Sequence, residues 1–95
     1  MGNLFVPYAG NTLAAVNIKG HTFVVLSRER DTLEEKMELL GADHLREVQN
    51  ADPQQEEEQL NRIADEVDGG VVIAPFDMDL EEVLLDLEAE LNWVH

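Results

Sequence analysis

The chain has 95 residues, no cysteine and a formal net charge of −15, with 21 Asp and Glu against six Lys and Arg. This length suits one domain with a single core, and the lack of cysteine excludes disulfides, cysteine nucleophiles and cysteine-ligated zinc. The acidity argues against direct binding to nucleic acid or to an anionic membrane, because both need a basic protein surface.

The first third of the chain predicts three β-strands, at residues 3–8, 13–18 and 21–27. The second and third strands flank Lys19-Gly20, a two-residue loop typical of a tight hairpin. Residues 23–26 are apolar at every position, which indicates a strand that is covered on both faces, or by helices on one face and by a partner on the other. We therefore expect the third strand to lie in the middle of a sheet.

The first helix is predicted to begin near Asp31 and to end at Gly41. Thr32 and Glu35 have the spacing of a capping box, in which two side chains bind backbone N–H groups of the first turn. One face of this helix carries Leu33, Met37 and Leu40, and glycine suits the position after a helix end. A short strand at residues 44–49 follows.

The second helix has three start signals that agree with one another. Asp52 suits the N-cap, Pro53 the first helical position and Gln55 the third. Its predicted buried stripe consists of Leu60, Ile63, Ala64 and Val67. Gly69-Gly70 is expected to end the helix, and residues 71–74 form a buried strand.

The third helix is predicted from Asp79, its cap, to about Val94. Its core stripe consists of Leu80, Val83, Leu84, Leu87, Leu91 and Val94. The element order is β-β-β-α-β-α-β-α. This order predicts one α/β (α+β) domain over residues 1–95, with a mixed sheet of four to five strands packed by three helices.

A second, exposed side of the third helix is the strongest candidate for a partner-binding surface. Leu85, Ala89 and Trp93 recur at i, i+4 and i+8, and the carboxylates of Glu81, Glu82, Asp86, Glu88 and Glu90 flank them. An apolar ridge with a tryptophan anchor inside a charged rim is typical of protein interfaces. The competing interpretation is that Trp93 folds back over the sheet and Leu85 is a scattered exposed residue.

The acidity is concentrated in the second half of the chain. Residues 51–95 contain fourteen Asp and Glu and one cation, Arg62, whereas residues 1–50 contain seven Asp and Glu and five cations. Helix starts favour acidic residues and explain part of this excess. Adaptation to a high-salt cytoplasm would acidify the whole surface, so the segregation favours a binding role.

We predict a small acidic protein–protein interaction domain, in its most specific form an inhibitor or antagonist that presents a carboxylate-rich helical face to a basic site. The partner is a basic protein or a second copy of the chain, forming a homodimer.

An alternative function is the binding of a small anion or nucleotide, with the acidity then due to a high-salt cytoplasm. Ser27, Arg28 and Arg30 lie at the end of the predicted central strand and the start of the first helix, where open α/β sheets often bind ligands. The glycine-rich loop that usually accompanies such a site is missing from the sequence. The two arginines are equally well explained as partners of the protein's own carboxylates.

The sequence contains no catalytic motif with local support. The histidines, His21, His44 and His95, are far apart, and none has a second ligand at helical spacing. We therefore expect no enzymatic activity, no catalytic residues, no metal site and no cofactor. No targeting segment and no apolar run of the ~20 residues of a membrane span is visible, so we expect a cytoplasmic protein without a membrane partner.

Overall fold

The computed structural model describes residues 3–49, 52–75 and 78–93, the last three of these by their backbone alone. Within these residues, six strands form one mixed sheet and four helices cover it. The strands are β1 (Asn3–Ala9), β2 (Thr12–Leu13), β3 (Val16–Ile18), β4 (His21–Ser27), β5 (His44–Gln49) and β6 (Gly70–Ala74). The helices are α1 (Arg30–Glu34), α2 (Met37–Leu40), α3 (Pro53–Val67) and α4 (Leu80–Trp93).

The four longer strands lie in the order β5-β1-β4-β6. Strand β1 is antiparallel to β5 and β4, and β4 is parallel to β6. Tyr8 pairs with both β2 and β5, and Phe23 pairs with both β3 and β6. The short strands β2 and β3 therefore lie on the inner edges of β1 and β4, between these two strands. This mixed α+β architecture confirms the predicted fold class.

The predicted hairpin between the second and third strands is present. Lys19 and Gly20 have φ values of 53° and 85°, as a type I′ turn requires at both central positions. The Gly20 N–H also donates to Asn17 Oδ1 at 3.1 Å. The single strand predicted over residues 13–18 was wrong, because the chain changes from pairing with β1 to pairing with β4 and the ladder is interrupted between β2 and β3.

The first predicted helix is divided into α1 and α2, and its predicted capping box is absent. The N-cap of α1 is Glu29, which makes no side-chain cap, and Glu35 lies at the end of α1. Thr32 is inside the helix. Strand β4 ends at Ser27, whose hydroxyl accepts a hydrogen bond from the Glu29 N–H at 3.0 Å, so α1 starts directly after this turn. Leu33 in α1 and Leu40 in α2 are both buried, so the two helices keep the apolar face that the sequence predicts for one helix.

The start of α3 is confirmed, whereas its end differs from the prediction. Asp52 Oδ1 accepts from the Gln55 N–H at 2.8 Å. At the other end Asp68 takes the left-handed conformation with φ 52°, and Gly70 already belongs to β6. Position 69 requires glycine because of close packing and not because it ends the helix. A Cβ on Gly69 would lie 2.2 Å from the backbone oxygen of Thr22 in β4.

The sheet is covered on both faces, as the apolar run of β4 predicts. Val24 and Leu26 pack toward α3, whereas Val25 packs toward α1, α2 and α4, and all three are fully buried. The buried residues on the α3 side are Leu4, Val6, Val24, Leu26 and Ile63. Those on the other side are Val25, Leu33, Leu40, Ala74, Leu80, Val83 and Leu87. The second of these layers holds α4 against the sheet and so determines which of its residues face outward.

Candidate partner-binding site

Helix α4 is fixed to the sheet by the apolar stripe that its sequence predicts. Leu80, Val83 and Leu87 are buried, and Leu84 packs against them as a partly buried residue. Leu91 and Val94, the other predicted members of the stripe, fall outside the described side chains. Because a helix turns by about 100° per residue, this packing leaves the other described side chains of α4, at residues 81, 82, 85, 86 and 88–90, exposed.

The exposed side of α4 is strongly acidic. Its exposed carboxylates are those of Glu81, Glu82, Asp86, Glu88 and Glu90, and the helix carries no Lys or Arg. Glu81 binds Lys36 Nζ at 2.9 Å, and this hydrogen bond raises the pKa of Lys36 above its ordinary value. The other four carboxylates make no ion pair with any residue that the structure describes. They are therefore available to a cationic partner.

An apolar patch lies beside this acidic helix. Leu85 is 65% exposed and Leu39, from α2, is 47% exposed; no other large hydrophobic side chain among the described residues is classed as exposed. Both line one shallow groove, together with Ile18, Leu84, Glu81 and Glu88. We call Ile18, Leu39, Leu84 and Leu85 the Leu39–Leu85 patch. Three separate elements, β3, α2 and α4, build it.

Sequence reasoning identified Leu85 but missed Leu39 and Ile18. A signal for Leu39 was present, because Leu39 and Leu40 are adjacent on one short helix and cannot both face the core. The position of Ile18 had no such signal, since it depends on how β3 pairs with β4. Tertiary contacts therefore complete a patch of which the helical spacing revealed one part.

Five of the eight predicted partner-binding residues line two different grooves, one on each flank of α4. Leu85 lies in the patch, with Glu81 and Glu88 at its edge, whereas Asp86 and Glu90 line a different groove beside β6. Glu82 and Ala89 are exposed and line neither groove. Trp93 belongs to α4, but its side chain falls outside the described ones, so its anchoring role stays a prediction.

The residues of the alternative anion site are engaged within the chain. Arg28 Nη2 binds Glu56 Oε1 of α3 at 2.7 Å, and Arg30 Nε binds Glu34 Oε2 at 3.0 Å. Ser27 is only 2% exposed, and its hydroxyl accepts from the backbone as described above. Arg28 thus ties the end of β4 to the first turn of α3, and an anion at this place would compete with Glu56.

A polar cluster joins β1 to β5 at the surface. The Arg46 guanidinium lies 4.2 Å from the centre of the Tyr8 ring. The His44 ring stacks on the Tyr8 ring, with 5.8 Å between the two ring centres. Asp43 binds His44 and accepts from the Gly10 N–H at 2.8 Å. These two hydrogen bonds lower the pKa of Asp43. The cluster closes the β1–β5 end of the sheet with contacts internal to the chain.

Neither a metal site nor a membrane span is present in the described part of the chain. No group of three His, Asp or Glu side chains among the described residues is arranged to hold a metal ion. None of the described helices has the length and apolar character needed to cross a membrane.

Comparison with protein-family models, with curated proteins and with solved structures gives no match. The geometry of α4 and its neighbours is therefore the basis for a functional proposal.

Proposed function

We propose that this chain is a small acidic protein–protein interaction domain that binds a basic protein through the outer side of α4. The Leu39–Leu85 patch carries the proposal. Single exposed leucines are common and need no explanation. Here, however, Leu39 and Leu85 come from different helices, lie in one groove and have Glu81 and Glu88 at its edge.

The composition of this surface defines the chemistry of its partner. An apolar centre inside a polar rim is the common arrangement of protein interfaces, and the acidic rim selects lysine and arginine on the other side. Burying a whole leucine side chain contributes about 1.5–3 kcal/mol. Because Leu85 is 65% exposed, covering it contributes about 1–2 kcal/mol, or roughly a tenfold change in Kd.

A basic partner fits this surface better than a second copy of the chain. In a two-fold symmetric dimer the same patch meets itself, so Glu81 and Glu88 of one copy would face those of the other. Each copy also carries a net charge of −15. Like charges placed opposite one another oppose association. A cationic protein would instead place opposite charges against Glu81 and Glu88. Inhibition of a partner whose phosphate-binding site these carboxylates occupy is one form of this function and stays a prediction.

Affinity capture with matched variants tests the proposal. The purified domain is immobilised at about 0.15 M KCl, an ionic strength at which distant surface charges are screened. Two double variants alter the site and a third is a control on α3, across the sheet. They are Leu39→Ser with Leu85→Ser, Glu81→Lys with Glu88→Lys, and, as the control, Glu57→Lys with Glu58→Lys. The last two make the same change in net charge at exposed positions.

The pattern of retention decides the outcome. The proposal expects a protein of net positive charge that binds the parent domain and the α3 control, and that both site variants lose. The captured protein must also bind the parent domain when purified. Equal loss in the α3 control would show that retention follows net charge alone and would contradict a defined site. Self-association in sedimentation that the site variants abolish would replace the basic partner with a homodimer.

A further inference from the structure

The outer edge of β6 is open in the described part of the chain. One edge of β6 pairs with residues 23–27 of β4, and no described strand pairs with the other edge. An edge strand presents unpaired N–H and C=O groups that can accept another strand, and natural edges are often protected by charged residues. β5, at the other end of the sheet, has exposed Arg46 and Glu47. β6 has the sequence GVVIA, without any charge.

An apolar groove runs between this open edge and α4. It is lined by Val71, Val72, Ile73, Pro75, Met78, Val83 and Leu87, with Asp86 and Glu90 among them. Its volume is about 280 Å³, below the ~300–1,000 Å³ of pockets that enclose a whole small ligand. The groove therefore suits individual side chains of a peptide that lies along the edge.

Two carboxylates give the groove a charge preference. Asp86 and Glu90 are one helical turn apart on the flank of α4 that adjoins β6, and both are exposed. Neither makes an ion pair with a described residue. A lysine or arginine on a docked segment would meet them beside apolar surface, where charge-assisted hydrogen bonds are strong.

We infer that the open edge of β6 accepts an extended segment of another protein, which carries apolar and basic side chains and adds to the sheet as a further strand. Main-chain hydrogen bonds to β6 supply binding, and side chains in the groove and on Asp86 and Glu90 supply selectivity. A second copy of this chain is disfavoured as the occupant, because pairing two β6 edges would bring two acidic α4 helices together. The groove lies on the flank of α4 opposite the Leu39–Leu85 patch, so the inference does not require that patch.

A synthetic peptide probes the edge directly. The probe is a dye-labelled octapeptide of alternating lysine and valine, and its binding is followed by fluorescence anisotropy at about 0.1 M KCl. The first control peptide has a proline in place of a central valine, which removes a backbone donor. The second has glutamate in place of every lysine, which reverses the charge. We expect saturable binding of the lysine–valine peptide alone, together with slower hydrogen exchange at amides of β6.

Variants of the full chain locate the contact on α4. Asp86→Asn with Glu90→Gln should weaken binding of the lysine–valine peptide by about tenfold or more, because two charge-assisted contacts are lost. Glu82→Gln with Glu88→Gln makes the same charge change on other sides of α4 and should alter binding far less. Leu39→Ser with Leu85→Ser should leave peptide binding intact, although it abolishes capture of the basic protein proposed above. The two proposals can therefore fail separately.

Several results would overturn the inference. One is the absence of binding by the lysine–valine peptide; another is equal binding of the proline peptide, which would indicate charge attraction without strand addition. Unchanged hydrogen exchange in β6, or equal weakening by the two neutralising variants, would place the peptide elsewhere. Protection of β6 amides that depends on protein concentration, without any peptide, would assign the edge to a second copy of the chain.

Discussion

Gly69→Ala should destabilise the fold because α3, β4 and β6 meet at this residue. A Cβ at Gly69 would lie 2.2 Å from the oxygen and 2.9 Å from the carbonyl carbon of Thr22. These are backbone atoms of β4, so no side-chain rotation can relieve the contact and β6 has to move away from its neighbour. Forced insertion into a packed region costs about 1–3 kcal/mol, and a backbone clash belongs near the upper end.

The unfolded chain offsets part of this cost. Replacing glycine by alanine restricts the unfolded state and returns about 0.4–1 kcal/mol, so the net loss in the free energy of unfolding is about 2 kcal/mol. A domain of this size loses about 4–8 °C in Tm for each kcal/mol. We therefore expect Tm to fall by roughly 10–15 °C.

Urea unfolding and thermal melts followed by circular dichroism measure both quantities. Gly10→Ala is the matched control, since Gly10 has φ 63° and no atom lies within 4 Å of its added Cβ. Its cost comes from the left-handed backbone alone and is about 1 kcal/mol. If Gly69→Ala is no more destabilising than Gly10→Ala, the close approach of Gly69 to β4 is refuted, and with it the placement of β6 on which the open edge depends.

Three further results are expected from local interactions and from the overall charge. Asp52→Ala removes the side-chain cap of α3 and should lower the free energy of unfolding in urea by about 1 kcal/mol; equal loss from Asp65→Ala, at an exposed position inside α3, would contradict a capping role. The folded pKa of Asp43 is lowered from 3.8 by its hydrogen bonds to His44 and Gly10. Its contribution to stability is therefore present above pH 3.8 and is lost as pH falls below that value. In Asp43→Asn this loss in acid should be smaller, as melts at a series of pH values below about 5 would reveal. Raising KCl from about 0.1 to about 2 M should increase Tm, because 21 acidic against six basic residues repel one another and salt screens them; an unchanged Tm would show that this repulsion is weak.

The charge arrangement on α4 has an energetic cost within the helix. Glu82, Asp86 and Glu90 stand at i, i+4 and i+8 and are all exposed. Like charges at i, i+4 destabilise a helix by about 0.2–0.5 kcal/mol for each pair. A cationic partner would remove this repulsion on binding, as the proposed function requires.

The two grooves on either side of α4 suit one kind of partner. The Leu39–Leu85 patch has Glu81 and Glu88 at its edge, and the groove beside β6 has Asp86 and Glu90. A basic protein with an extended segment could occupy both flanks of the helix at once. Electrostatic attraction of this kind mainly accelerates association and falls as the salt concentration rises.

Local signals in the sequence were sufficient for several elements of the fold. The strands His21–Ser27 and His44–Gln49 have the predicted bounds, and the Lys19-Gly20 turn and the Asp52 cap are confirmed. Each of these features depends on residues that are adjacent or within one turn of one another. The positive φ of a hairpin turn and the hydrogen bond of an N-cap need no distant partner, so they can be predicted from a few adjacent residues.

Other elements depended on contacts between distant parts of the chain. The division of residues 13–18 into β2 and β3 follows a change of pairing partner. The break between α1 and α2 had no signal in the sequence, because Leu33 and Leu40 lie on the face that one continuous helix would bury. The number of strands and helices therefore exceeded the prediction, although the fold class was right. For the strands, long-range pairing outweighed the local propensity.

The candidate site also depends partly on local sequence signals and partly on long-range contacts. By itself the sequence determined that α4 is acidic, that Leu80, Val83 and Leu87 face the core and that Leu85 does not, because helical periodicity alone separates these positions. Only the tertiary structure brought Leu39 of α2 beside Leu85, and only the order of strands left β6 at an edge. Periodicity specifies which side of an element is apolar, whereas the neighbours of that side are decided by long-range packing and strand pairing.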